Sequence, residues 1–195
     1  MNRAWQFAAL LTLLLLPVTP ALVVAQEAAG PLDARIGGTT ESFVAKYGAP
    51  VEPKEGAPTL FTEYDVPGYS TVFGDSYEGL IESVALYSPR PKGQEWDNEE
   101  PNKLDWSVTK AHELAKRFLP LDAEMQVPAD ERLGVIRTVG YSPSLAAQVP
   151  EEVYAYVDNE YTIGQCSYVL MLNADKTAVN AIHIELLVED PLPPS

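Results

Sequence analysis

Cysteine and histidine are nearly absent from these 195 residues: Cys166 is the single thiol, and His112 and His183 are the two imidazoles. One thiol cannot close an intrachain disulfide, so stability has to come from packing. Two histidines leave few arrangements for acid–base or metal chemistry. Positive charge is also scarce, with 13 Lys and Arg against 28 Asp and Glu and a net charge of −15. A polyanion of this size repels nucleic-acid phosphates and anionic lipid headgroups, which argues against both as partners. Long apolar runs are confined to the N-terminus. There, Ala4 to Leu16 falls short of the ~20 residues a helix needs to cross a bilayer.

That N-terminus has the layout of an export signal instead. Arg3 precedes the apolar run, Pro17 and Pro20 break it, and Val23-Val24-Ala25 offers residues that a signal peptidase reads. Residues 1–25 are expected to be a cleaved signal peptide, with an uncleaved anchor as the alternative. Lipoprotein processing needs a Cys just after the run, and Cys166 is far from it. Without the leader, 12 basic residues face 28 acidic ones, a charge of −16. The expected location is secreted or periplasmic, with no membrane attachment after cleavage.

The remainder reads as an α+β chain of two helix-plus-antiparallel-meander units, with the helices packed on one face of the sheet. Residues 26–35 form a flexible N-terminus and 36–87 the first unit. Thr39 or Thr40 caps a short helix carrying Phe43, Val44 and Tyr47, which Gly48 and Pro50 end. Strands are expected at Thr59 to Val66, Tyr69 to Phe73 and Leu80 to Tyr87, with a loop from Gly74 to Gly79. Residues 88–104 are a Pro- and acid-rich linker. The second unit, 105–190, opens with a helix capped by Asp105 or Ser107 and ending at Leu119-Pro120. Its buried stripe is Val108, Ala111, Ala115, Phe118 and Leu119. Strands follow at Gly134 to Gly140, Val153 to Val157, Gln165 to Leu172 and Ala178 to Val188, with a hairpin at Asn173 to Thr177. Residues 191–195 are a Pro-rich tail. The element order recurs without residue identity, so a duplication and a single continuous sheet both remain open.

The run Ile36-Gly37-Gly38-Thr39-Thr40, then Phe43, then Tyr47-Gly48-Ala49-Pro50, followed by strands, resembles a recurring export-domain pattern. It is similar to the helix-then-meander repeat of the beta-lactamase inhibitor protein and of the small lipoproteins of the outer-membrane assembly machinery. The resemblance spans residues 36 to 87 well and 105 to 188 in element order. It implies a non-catalytic fold that binds other envelope proteins. The lipid-bearing Cys of those lipoproteins is missing here, and no binding residue transfers one by one.

Chemical motifs thin out under inspection. His112 sits at the edge of a helical apolar stripe, and His183 on the polar face of the last strand beside Glu185. Nothing like His-Glu-x-x-His is present. Tyr141-Ser142-Pro143-Ser144 lacks the second Gly of a nucleophile elbow, and Pro143 removes an N–H an oxyanion hole would use. Ser142 reads better as the cap of Leu145-Ala146-Ala147. Cys166 alternates with Tyr168, Leu170 and Leu172 and reads as a small buried hydrophobe. The acids at Asp97 to Asp105 and at Asp158 to Glu160 lack the spacing of an EF-hand. No metal, cofactor or catalytic residue is therefore assigned.

Aromatics give the binding candidates: Trp96 and Trp106 around the linker, and Tyr154 and Tyr156 on one face of an expected strand, opposite Val153 and Val157. These four make the expected binding surface of an exported, acidic, non-catalytic binding or inhibitor-like module, with an envelope or extracellular protein as partner. A small secreted carboxylate- or metal-dependent hydrolase and a structural envelope protein are the alternatives.

Overall fold

The computed structural model of the protein describes residues 30–51, 62–64, 66, 68–69, 71–89, 104–126, 130–132, 134–154 and 162–186. The expected signal peptide, most of the linker and the Pro-rich tail lie outside these residues. The first helix, α1, is Thr40–Tyr47. Thr39 has extended backbone, and its Oγ1 accepts the Ser42 N–H at 3.2 Å. Glu41 and Lys46 stand at the helix ends that favour their charges. Gly48 closes α1 at φ 90°, donating its N–H to the Val44 carbonyl. Phe43 is its buried anchor, so packing holds a helix too short to stand alone.

Strands β1 (Thr62–Tyr64), β2 (Thr71–Tyr77) and β3 (Leu80–Tyr87) form an antiparallel meander. β2 runs four residues past its expected end at Phe73. Only Glu78 and Gly79 turn, at φ 48° and 86°. Two successive positive φ values make the tight hairpin whose twist suits flanking strands, and Tyr77 pairs directly with Leu80.

In the second half, Ser107 caps α2 (Val108–Ala115), which loosens into turns before Leu119. Two short strands, β4 (Glu124–Met125) and β5 (Asp130–Arg132), pair with the two ends of one edge of β6 (Val135–Tyr141); β7 (Gln165–Leu172), on the other edge, and β8 (Val179–Glu185) complete the sheet. The exposed Glu124 on β4 suits an edge that must not recruit another strand. Between β6 and β7 lie two further helices, α3 (Pro143–Gln148) and α4 (Glu151–Tyr154). The strand expected at Val153 to Val157 is thus corrected: Val153 and Tyr154 are helical, and 155–157 lie outside the described residues. Pro150 sets the entry, and Glu151 and Glu152 occupy the first turn, where the positive helix end favours them.

The fold is α+β. Strand order is β1-β2-β3-β8-β7-β6-β4, with β5 also on β6. Each half ends its meander at the centre, where β3 and β8 pair antiparallel, so one sheet runs through both. Rows of residues cross it in register. Leu86, Ile182, Leu170 and Ile136 form one row on the helix-facing side, and Val84, Ile184 and Tyr168 belong to the next. These pack with Ala111, Leu114, Phe118, Leu145 and Val153 into one core.

The Gly37-Gly38 pair lets the entry segment thread this core. The Gly37 N–H donates to the Ile81 carbonyl at 2.7 Å, and the Ile36 N–H to the Phe118 carbonyl at 2.9 Å. A Cβ on Gly37, already at φ 77°, would overlap Leu145; one on Gly38 would overlap the Leu32 carbonyl.

Candidate functional site

Alternation along the central strands leaves a second sheet face turned away from the core. Its rows are Ala85, His183, Val169 and Arg137; Tyr87, Ala181, Met171 and Val135; and Ser83, Glu185, Ser167 and Val139. None of these belongs to the core cluster that the helices build. An antiparallel sheet with one wet face normally alternates apolar and polar side chains. Here β6 presents Val135, Arg137, Val139 and Tyr141 outward, and β7 presents Gln165, Ser167, Val169 and Met171. Tyr141 and Met171 are 46% and 42% exposed. Tyr141 also borders a cleft of about 470 Å³, with Glu124, Gln126, Thr162 and Gln165 around it.

The aromatics expected as anchors lie elsewhere. Tyr154 is 1% exposed in α4, and burial pushes its phenol up to about 12. Helical turn geometry, rather than strand alternation, points it into the core. Trp106 is 8% exposed and joins the sheet by two backbone hydrogen bonds with Val179, at 2.9 and 2.8 Å. Its ring meets Tyr69 edge-on at 6.2 Å. Both are core residues, which corrects their expected role. Trp96 and Tyr156 lie outside the described residues. The outward residues Tyr141 and Met171 escaped the sequence reading, although alternation along Val135–Tyr141 and Gln165–Leu172 would have found them.

The sheet itself separates the two histidines. His183 stands on the outward face, its Nδ1 3.5 Å from Glu185 Oε2, while the Ser167 hydroxyl donates to Glu185 Oε1 at 3.1 Å. The carboxylate sits between serine and imidazole, the wrong order for a base-activated nucleophile, and Ser167 is wholly buried. His112 lies on the helix side, its Nδ1 2.7 Å from the Tyr168 hydroxyl, with the two rings edge-on. Burial, aided by the Lys116 charge, lowers the His112 pKa, and burial raises that of Tyr168. A neutral imidazole and a protonated phenol therefore share this bond at neutral pH.

Ser142 caps α3 as expected. Its Oγ accepts the Leu145 N–H at 3.1 Å and donates to Asp122 Oδ1 at 2.6 Å. Cys166 is fully buried, and desolvation pushes its thiol up to about 12, which removes thiolate reactivity at neutral pH. Among the described residues no three His, Cys, Asp or Glu side chains group closely enough to hold a metal ion. Of the acid clusters in the sequence, only Asp105 is described, accepting a hydrogen bond from Ser88 at 2.7 Å. No helix among the described residues is long and apolar enough to cross a membrane.

No protein-family model matches the chain, and no curated protein matches its sequence. Among solved structures, a cysteine-rich secretory protein from Staphylococcus aureus subsp. aureus Mu50 aligns at 10% identity and a TM-score of 0.34. It covers 81% of this chain and 48% of its own. An extracellular protein containing an SCP domain, from Bacillus anthracis str. Ames, aligns at 13% identity and a TM-score of 0.33, covering 86% and 49%. The chain spans about half the length of each. Superposition is loose at such scores.

Proposed function

We propose that the protein is an exported, non-catalytic binding module that captures an envelope or extracellular protein through the outward face of its sheet. The observation that carries this reading is the outward side of β6 and β7, where the exposed Tyr141 and Met171 stand with Val135, Val139 and Val169 around the buried Arg137 and Ser167. The export-type leader, the envelope-domain resemblance and the separated histidines support it. Tyr141, beside its cleft, is the aromatic anchor, and Glu124 belongs to the acidic rim.

Tyr141→Ala and Met171→Glu test it. Both side chains are exposed, so stability should change by less than about 0.5 kcal/mol. Capture of a partner from the producing cell's envelope fraction, quantified by surface plasmon resonance once the partner is isolated, should weaken by about tenfold or more. Undiminished capture by both variants overturns the assignment of this face.

A further inference from the structure

Between α2 and the helix-facing side of β6 and β7 lies a cavity of about 460 Å³, lined by His112, Lys116, Ala123, Met125, Gln126, Thr138 and Tyr168. It is separated by the sheet from the outward face, and its size falls within the range of small-molecule sites. We propose that this cavity binds a small organic monocarboxylate, its charged end toward Lys116 and the His112–Tyr168 pair and its short apolar tail against Ala123 and Met125.

Three observations carry the assignment. The first is a surplus of donors. The His112–Tyr168 bond has two arrangements: either Tyr168 donates to Nδ1 and leaves the Nε2–H free, or Nδ1–H donates to Tyr168 and leaves its hydroxyl proton free. The first leaves the imidazole hydrogen for a guest acceptor, because His112 has no other partner among the described residues; in the second the phenol hydrogen is shared between a guest and the neighbouring Thr138 hydroxyl. The second is Thr138. It is 4% exposed, and its hydroxyl lies close enough to that of Tyr168 to lower the phenol's pKa, though without good hydrogen-bond geometry. A buried hydroxyl held this loosely leaves part of its desolvation cost uncompensated, which a guest acceptor in the cavity would offset.

The third is charge. Acids outnumber bases about two to one in this chain, yet no Asp or Glu is among the described residues of the lining. Lys116, four residues after His112 at the C-cap of α2, makes no ion pair with a described residue. Among the described residues the groups around His112 are Lys116 at the C-cap of α2, Tyr168 on β7, Thr138 on β6, and Met125 and Gln126 at the edge. An anion seated among them meets one full positive charge and only neutral donors otherwise. A cation meets repulsion from Lys116 with no carboxylate to offset it.

The experiment is an NMR titration of the purified protein with sodium butyrate, butan-1-ol and butylamine, following the His112 ring and Thr138 amide signals. Butyrate should saturate and bind about tenfold more tightly than the alcohol of equal carbon count, with butylamine weaker still. Its binding should raise the His112 pKa, since the anion offsets Lys116. Lys116→Gln, at an exposed position, should weaken butyrate by about tenfold with the fold unchanged. Thr138→Val should raise the melting temperature of the free protein by removing a buried hydroxyl that Tyr168 satisfies only poorly. Non-saturating butyrate shifts, butylamine binding as well as butyrate, or an unaffected Lys116→Gln variant would each overturn the proposal. So would a lower melting temperature for Thr138→Val, because the hydroxyl would then have been satisfied from within.

Discussion

Asp122 shows what a single side chain does in a fold without disulfides. Its Oδ1 accepts from the Ser142 hydroxyl at 2.6 Å, and its Oδ2 accepts the Ser144 N–H at 2.8 Å. It thereby ties the turn after α2 to the start of α3. Desolvation raises its pKa, but the hydrogen bonds from Ser142 and Ser144 outweigh that effect, and the net value lies below the ordinary 3.8. A depressed carboxyl contributes stability that is whole above its ordinary value and is lost as pH falls through the folded value. Asp122→Ala should therefore cost about 1–2 kcal/mol near neutral pH, through two lost hydrogen bonds and a weakened cap. The gap in melting temperature between wild type and variant should narrow as pH is lowered towards about 3. A gap independent of pH would assign the loss to packing. The capping role of Ser142 was legible, because Pro143 and Leu145 follow it in the sequence. Asp122 was not, because it reaches Ser142 from 20 residues away.

Elements with unambiguous punctuation were read well, and those that satisfy two periodicities were not. α1 shows its cap and stop within ten residues, and Gln165–Leu172 alternates cleanly; both formed as expected. Val153 to Val157 also alternates. Its first two residues complete a helical turn begun by Glu151 and Glu152, and the acids after Pro150 were the deciding signal. Gly74 drew the expected loop too early, since it lies inside β2 with its backbone in the ladder. The actual turn depends on backbone freedom alone. Gly79 sits at φ 86°, and a Cβ there would meet nothing within 4 Å. Gly79→Ala should therefore cost about 1 kcal/mol, from the left-handed conformation. Gly37→Ala adds an overlap with Leu145 and should cost visibly more in chemical denaturation. Equal costs would mean that Leu145 yields without strain.

The largest consequence of the fold lies in the seam between its halves. Read as two units, the sequence allows each half to unfold by itself; the pairing of β3 with β8 argues otherwise. Ile182 stands opposite Leu86 of the first half and Leu170 of the second, and all three are fully buried. Neither half can open without exposing this row to water, and the core draws on Phe43 and Val84 from one half and Ala111, Tyr168 and Leu170 from the other. Such sharing makes unfolding all-or-none. Ile182→Ala removes side-chain volume from the middle of the seam and should cost about 2–5 kcal/mol, the range for large-to-small changes at sealed positions. The cost should appear as one displaced transition, with amide protection lost together in β2–β3 and β6–β7 when followed by hydrogen exchange. If β2–β3 exchanged first while β6–β7 stayed protected, the seam would be a contact between two independently stable units. The outward face, made of strands from both, would then lose the rigidity that a preformed binding surface requires.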